Sequence, residues 1–177
     1  MKKKKPIWLA ASLLVFMVFG SVNAVMAQLV EVTNAQLVSE AQSIVRGDVT
    51  AQRSEWNDEQ TYIWTFVSLT VTETLKGDDV TGQDVQIKIP NGTVGEITQM
   101  SSDQVVFGAG EDVVVFMGTE TYKDQPYYNV VRMAQGKMKV NGEQVSSSQG
   151  VLPQMTTDAY LAEIRRLVEE GGQDQDQ

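Results

Sequence analysis

The stretch Thr61-Tyr62-Ile63-Trp64-Thr65-Phe66-Val67-Ser68-Leu69-Thr70-Val71-Thr72-Glu73-Thr74-Leu75 is the longest run of β-branched and aromatic residues in the chain. Such a run favours a pleated, half-buried strand over a helix. Ile63, Val67, Leu69 and Val71 fall on one face. Tyr62, Trp64 and Phe66 open the other face, which turns polar at Ser68, Thr70 and Thr72. A strand whose exposed face changes along its length predicts a coiled sheet that closes on itself.

Working outward, residues 44–53 alternate in the same way. Val45, Gly47, Val49 and Ala51 oppose Arg46, Asp48, Thr50 and Gln52, with Gly47 marking a bulge or bend. After the loop Lys76-Gly77-Asp78-Asp79, residues 84–90 place Val85, Ile87 and Ile89 inward and Gln86 and Lys88 outward. Asn91-Gly92 predicts a tight turn, and the glycine-rich residues 93–110 a long excursion. The unbroken apolar run 113–117, within a strand over 113–119, predicts cover on both faces, with 127–133 as its antiparallel neighbour. Residues 137–140 and 143–145 around Asn141-Gly142 predict a last hairpin.

Two helices are expected. Asn34 or Thr33 caps a short one carrying Leu37, Val38 and Ala41. Thr157 caps a longer one whose stripe of Tyr160, Leu161, Ile164, Leu167 and Val168 docks on the sheet, until Gly171-Gly172 stops it. The expected fold is therefore mainly β: an antiparallel, OB-like barrel with a short N-terminal and a C-terminal helix. A jelly-roll-like sandwich is the alternative.

The chain opens with Met1, four lysines and an apolar stretch from Ile7 to Phe19, followed by small residues. This is the pattern of a secretory signal, too short for a membrane span. Cleavage is expected after Ala27, with Ala24 as second choice. The expected organisation is a signal peptide over 1–27, one domain over 28–170 and a disordered acidic tail over 171–177, exported to the periplasm or beyond the cell. Loss of Lys2, Lys3, Lys4 and Lys5 takes the formal charge from −9 to −13. Such a surface repels phosphate and anionic lipid, which argues against nucleic-acid and membrane partners.

The sequence contains neither cysteine nor histidine. Ser-His and Cys-His nucleophile pairs are excluded, as are zinc sites built on thiolate or imidazole. No cofactor is indicated. Asp78, Asp79 and Asp84 form the weak calcium candidate, although they lack an EF-hand spacing. Glu55, Asp58 and Glu59 beside Trp56, or alternatively Asp78, Asp79 and Asp84, are the acids a carboxylate-dependent glycoside hydrolase would need, but a polar hairpin tip explains the first set as well. Tyr62, Trp64, Phe66 and Trp56 form the candidate binding patch. Bases stack on such rings in single-strand binders, but the charge opposes that use, and a second apolar layer beneath the C-terminal helix is the expected role. Asn91-Gly92-Thr93 matches a glycosylation acceptor, and its turn chemistry accounts for it.

The segments Ser43-Ile44-Val45-Arg46-Gly47-Asp48-Val49, Val71-Thr72-Glu73-Thr74-Leu75-Lys76-Gly77, the run from Phe107-Gly108 to Phe116-Met117, and Ala134-Gln135-Gly136-Lys137-Met138-Lys139-Val140 resemble a family of small exported bacterial proteins. More distantly, their order resembles the netrin-like OB barrel of tissue inhibitors of metalloproteinases. The resemblance implies the barrel and a protein-binding role. The zinc-chelating mechanism of those inhibitors needs an N-terminal cysteine, which this chain lacks. The expected function is a secreted, non-enzymatic module engaging another exported protein, a protease among the candidates, with an extracellular carboxylate-dependent glycoside hydrolase as alternative.

Overall fold

The computed structural model describes residues 32–79, 81–147 and 155–173. The expected signal segment and the last four residues of the expected tail lie outside them. Among the described residues the fold is mainly β: helix α1 (Asn34–Glu40), then β1 (Ser43–Trp56), β2 (Ile63–Lys76), β3 (Asp84–Pro90), β4 (Gly92–Val94), β5 (Ile97–Gln99), β6 (Asp112–Tyr122), β7 (Gln125–Val130), β8 (Lys137–Asn141), β9 (Gln144–Ser147), β10 (Met155–Thr156) and helix α2 (Thr157–Gln173).

Eight strands share one sheet in the order β1-β2-β3-β7-β6-β8-β9-β10, and β1 also pairs with β6. Pairings therefore run in a circuit from β1 through β2, β3, β7 and β6 back to β1. Four of the five joins are antiparallel, while β3 and β7 are parallel, bridged at Ile87 and Tyr128. The expected all-antiparallel sheet is thus corrected to a mixed one. The reason is parity, because strand direction cannot alternate all the way round a circuit of five.

β1 reaches two neighbours by bending. Its register to β2 slips at three places, one of them between Arg46 and Gly47. A Cβ on Gly47 would collide with the Thr70 carbonyl, so the close approach at this bulge requires glycine. β6 is covered on both faces, as its apolar run predicts. Val113, Val115 and Met117 join Val45, Val67, Leu69, Val85 and Ile87 in one core. Val114 and Phe116 join Ile44, Leu75 and Met138 in a second core under Leu37 and Val38 of α1 and Tyr160, Leu161 and Ile164 of α2.

Thr33 caps α1 in a capping box with Gln36. At the other end the Lys76 ammonium donates to the Val38 and Ala41 carbonyls at 2.8 and 2.7 Å, where the helix dipole is negative. Burial lowers the Lys76 pKa.

Three local expectations are corrected. The strand expected to reach Met133 ends at Val130, because Arg132 and Met133 both take left-handed backbone and Met133 begins a short 3-10 turn. Arg132 is fixed there by two bonds to the Glu40 carboxylate, at 2.8 and 2.5 Å. Helix α2 runs through Gly171-Gly172 to Gln173, since neither glycine adopts the positive φ that would end it. Its first turn is capped by the Thr156 hydroxyl, which accepts from the Ala159 amide at 3.3 Å, while Thr157 donates to the Gly142 carbonyl.

Candidate functional site

Alternation along β2 turns Tyr62, Trp64 and Phe66 away from the first core. They do not line the layer beneath α2, as expected, since that layer is built from Ile44, Leu75, Val114, Phe116, Met138, Val140 and Val145. They form a separate group with Tyr122 of β6 and Tyr127 of β7. Ring centroids lie 4.9 Å apart for Tyr62 and Trp64, 6.2 Å for Trp64 and Tyr122, and 5.2 Å for Phe66 and Tyr127. In a flat sheet β2 and β6 would be roughly 14 Å apart across β3 and β7. The β6–β7 hairpin therefore curls over the outer face of β2 and β3.

Lys88 of β3 lies at the centre of this group. Expected to point outward into water, it is only 6% exposed. Its ammonium sits 3.6 Å from the Trp64 ring centroid, 4.6 Å from that of Tyr122, and 2.9 Å from a Glu120 carboxylate oxygen. The alternation of β3 holds, but its outer face at this point is covered by the hairpin rather than by solvent. The hydroxyl of Tyr122 is buried there without a hydrogen-bond partner.

Two further cations border the rings. The Arg53 guanidinium lies 4.2 Å from the Phe66 centroid and pairs with Glu55. Lys123, at the tip of the β6–β7 hairpin, lies 5.3 Å from the Tyr122 centroid. It reaches Asp58 on the β1–β2 turn at 2.5 Å, joining the two hairpin tips. Lys123 and Asp124 both take left-handed backbone, the geometry of a two-residue hairpin turn. Trp56 does not join the group. It opposes Ile63 in register, so it shares the other side of β2.

The aromatic run of β2 was legible in the sequence. Tyr122 and Tyr127 were not, because residues 120–126 lack a glycine or asparagine hairpin signal and read as a loop around Pro126.

The candidate acids are dispersed. Asp79 accepts from the Ser43 hydroxyl and, at 2.7 Å, from the Tyr128 phenol. Burial, reinforced by that carboxylate, pushes the Tyr128 pKa up to about 12. Asp84 instead accepts from the Thr70 hydroxyl. Among the described residues, no three acidic side chains gather in a way that could hold a metal ion. Glu55 is bound to Arg53, Asp58 to Lys123, and Glu59 to the Asn57 amide at 2.7 Å.

A cleft of about 380 Å³ opens on the other side of β1, walled by residues 52–54, Thr65, Ile89, Gly92, Thr93 and the 104–107 segment. Its wall contains no carboxylate. The segment is anchored from behind by Lys137, 3% exposed, which donates to the Val106 carbonyl at 2.5 Å and to Glu111. Burial lowers the Lys137 pKa, although Glu111 acts in the opposite direction. Burial likewise favours the neutral form of Glu111, but hydrogen bonds from Lys137 and the Gly108 amide outweigh it and hold its pKa below the usual range.

No protein-family model matches the chain, and no curated protein is similar to it.

Proposed function

We propose that this chain is an exported, non-enzymatic binding module that engages another exported protein through the rim of the aromatic group and the two hairpin tips beside it. The observation that carries the reading is that Tyr62, Trp64, Tyr122 and Tyr127 form a half-exposed aromatic face covered by neither helix. Aromatic rings bordered by cations are the composition of protein-binding hot spots. The circuit of pairings with its parallel β3–β7 join supports an OB-like barrel, whose ligands meet the outer face of the second and third strands and the neighbouring loops. A protease is a candidate partner through the netrin-like resemblance, by a mechanism that uses no cysteine. The hydrolase reading has less support, since the cleft wall lacks a carboxylate and residues Glu55, Asp58 and Glu59 are each engaged elsewhere.

The test is capture from the extracellular fraction of the source culture on the immobilised protein, read by mass spectrometry. The reading expects a defined partner retained by the wild type and lost with Tyr62→Ala at unchanged melting temperature. Equal capture by both proteins, or none by either, would refute it.

A further inference from the structure

We infer that the cleft between β1 and the 104–107 segment is a binding site for a neutral, hydroxyl-rich ligand, a saccharide unit. Its volume of about 380 Å³ falls within the roughly 300–1,000 Å³ of small-molecule sites. Arg53 borders both this cleft and the Phe66 ring, but none of the rings of the aromatic face lines the cleft, so neither proposal depends on the other.

The hydrogen-bond capacity of the wall defines the ligand. Thr65 has one hydroxyl proton and gives it to the Asn91 carbonyl at 2.8 Å. The 2.7 Å contact between the Ser54 and Thr65 hydroxyls must then have Ser54 as donor. Both protons point into the protein, and Ser54 is left with acceptor capacity. Gln52 donates its amide nitrogen to the Phe107 carbonyl at 2.8 Å, which orients its oxygen as a further acceptor. The Gln104 Oε1 is buried and has no partner. Leaving such an acceptor dry is unfavourable, so the site calls for a donor.

Charge then narrows the choice. An anion would meet acceptors, while an ammonium would enter a wall with no carboxylate to balance its charge. A neutral polyol donates without either conflict. Val106, 60% exposed, supplies the apolar surface for the C–H face of a sugar ring, while Ile89, Val105 and Phe107 belong to the core beneath. The site also depends on Gly92, since a Cβ there would run into the Thr65 and Ser54 hydroxyls.

The experiment is an amide chemical-shift titration of the protein with methyl glucoside and N-acetylglucosamine as neutral probes, and with glucosamine and glucuronate as charged ones. At concentrations up to about 20 mM, which reach millimolar affinities, at least one neutral probe should shift the amides of Ser54, Thr93, Gln104 and Phe107. Both charged probes should bind at least fivefold more weakly. Gln104→Leu should weaken the neutral probe at least fivefold, while Asp158→Asn, at an exposed position, should leave it unchanged. The inference is overturned by no shift with either neutral probe, by shifts that map to the Tyr62 and Trp64 face, or by equal binding of a charged probe. The wild-type map decides the case even if Gln104→Leu does not fold.

Discussion

Lys88 and Trp64, on the adjacent strands β3 and β2, meet as a cation over a ring, with the ammonium nitrogen 3.6 Å from the ring centroid. The third side of this lysine is closed by Glu120 of β6 at 2.9 Å, so one charge ties β2, β3 and the curled hairpin together. A desolvated cation on an aromatic face contributes about 2 kcal/mol, several times the value of an exposed ion pair.

Lys88→Ala is therefore expected to destabilise the protein by about 2–4 kcal/mol, from lost cation–π contact, lost stem packing and a Glu120 without its partner. Lys88→Met restores the stem but not the charge, and should recover less than half of the loss. Urea unfolding of the three proteins measures both. A loss under about 0.5 kcal/mol for Lys88→Ala, the range of an ordinary surface substitution, would mean that the lysine is not held as described.

The anchor behind the cleft is expected to show in the pH dependence of stability. Because the Glu111 pKa is lowered in the folded protein, its contribution is present above its unfolded value of 4.5 and is lost as pH falls through the lower folded value. Lys137 has the opposite sign. With its folded pKa lowered from 10.5, its charge is a cost at neutral pH that is relieved as pH rises toward that value. Glu111→Gln should lower stability at pH 7 by about 3 kcal/mol, by leaving the buried ammonium unpaired. It should also flatten the decline expected below pH 4.5 in the wild type. Melting curves from pH 3 to 10 check both statements, and parallel wild-type and variant profiles would contradict them.

The two cores should respond independently to truncation. Leu69→Ala in the first and Ile164→Ala in the second are each expected to cost about 2–5 kcal/mol. Val115→Ala should cost somewhat less, because fewer buried atoms are removed. Because Leu69 and Ile164 belong to separate buried clusters, their losses should add within about 0.5 kcal/mol. A double-mutant cycle by urea unfolding measures the sum, and strong coupling would show that the layers unfold as one packed unit.

Much of the strand plan was legible because it depends on local alternation. Residues 84–90 form β3 with the expected bounds, and the apolar run of β6 carries two faces of cover because no polar side chain interrupts it. The last hairpin forms as expected in β8–β9, but its turn is shifted by one residue to Gly142-Glu143, because Asn141 pairs with Gln144. The parallel β3–β7 join was not legible, since a local pattern does not show which strands will become neighbours when the circuit closes. The calcium candidate similarly rested on proximity along the chain. In the fold Asp79 turns to Ser43 and Tyr128, and Asp84 to Thr70.

By itself the sequence determined that this chain carries no thiol or imidazole, and that β2 and β3 turn alternate side chains to a core while β6 turns both sides. Both follow from residue identity and a two-residue period, which need no knowledge of distant contacts. Only the tertiary structure decided what lies against the other side. Lys88 and Gln86 alternate identically in β3, yet the first is 6% exposed because a hairpin more than thirty residues later in the chain folds over it. Alternation gives the direction of a side chain, while its environment is a non-local property set by the packing of strands far apart in sequence.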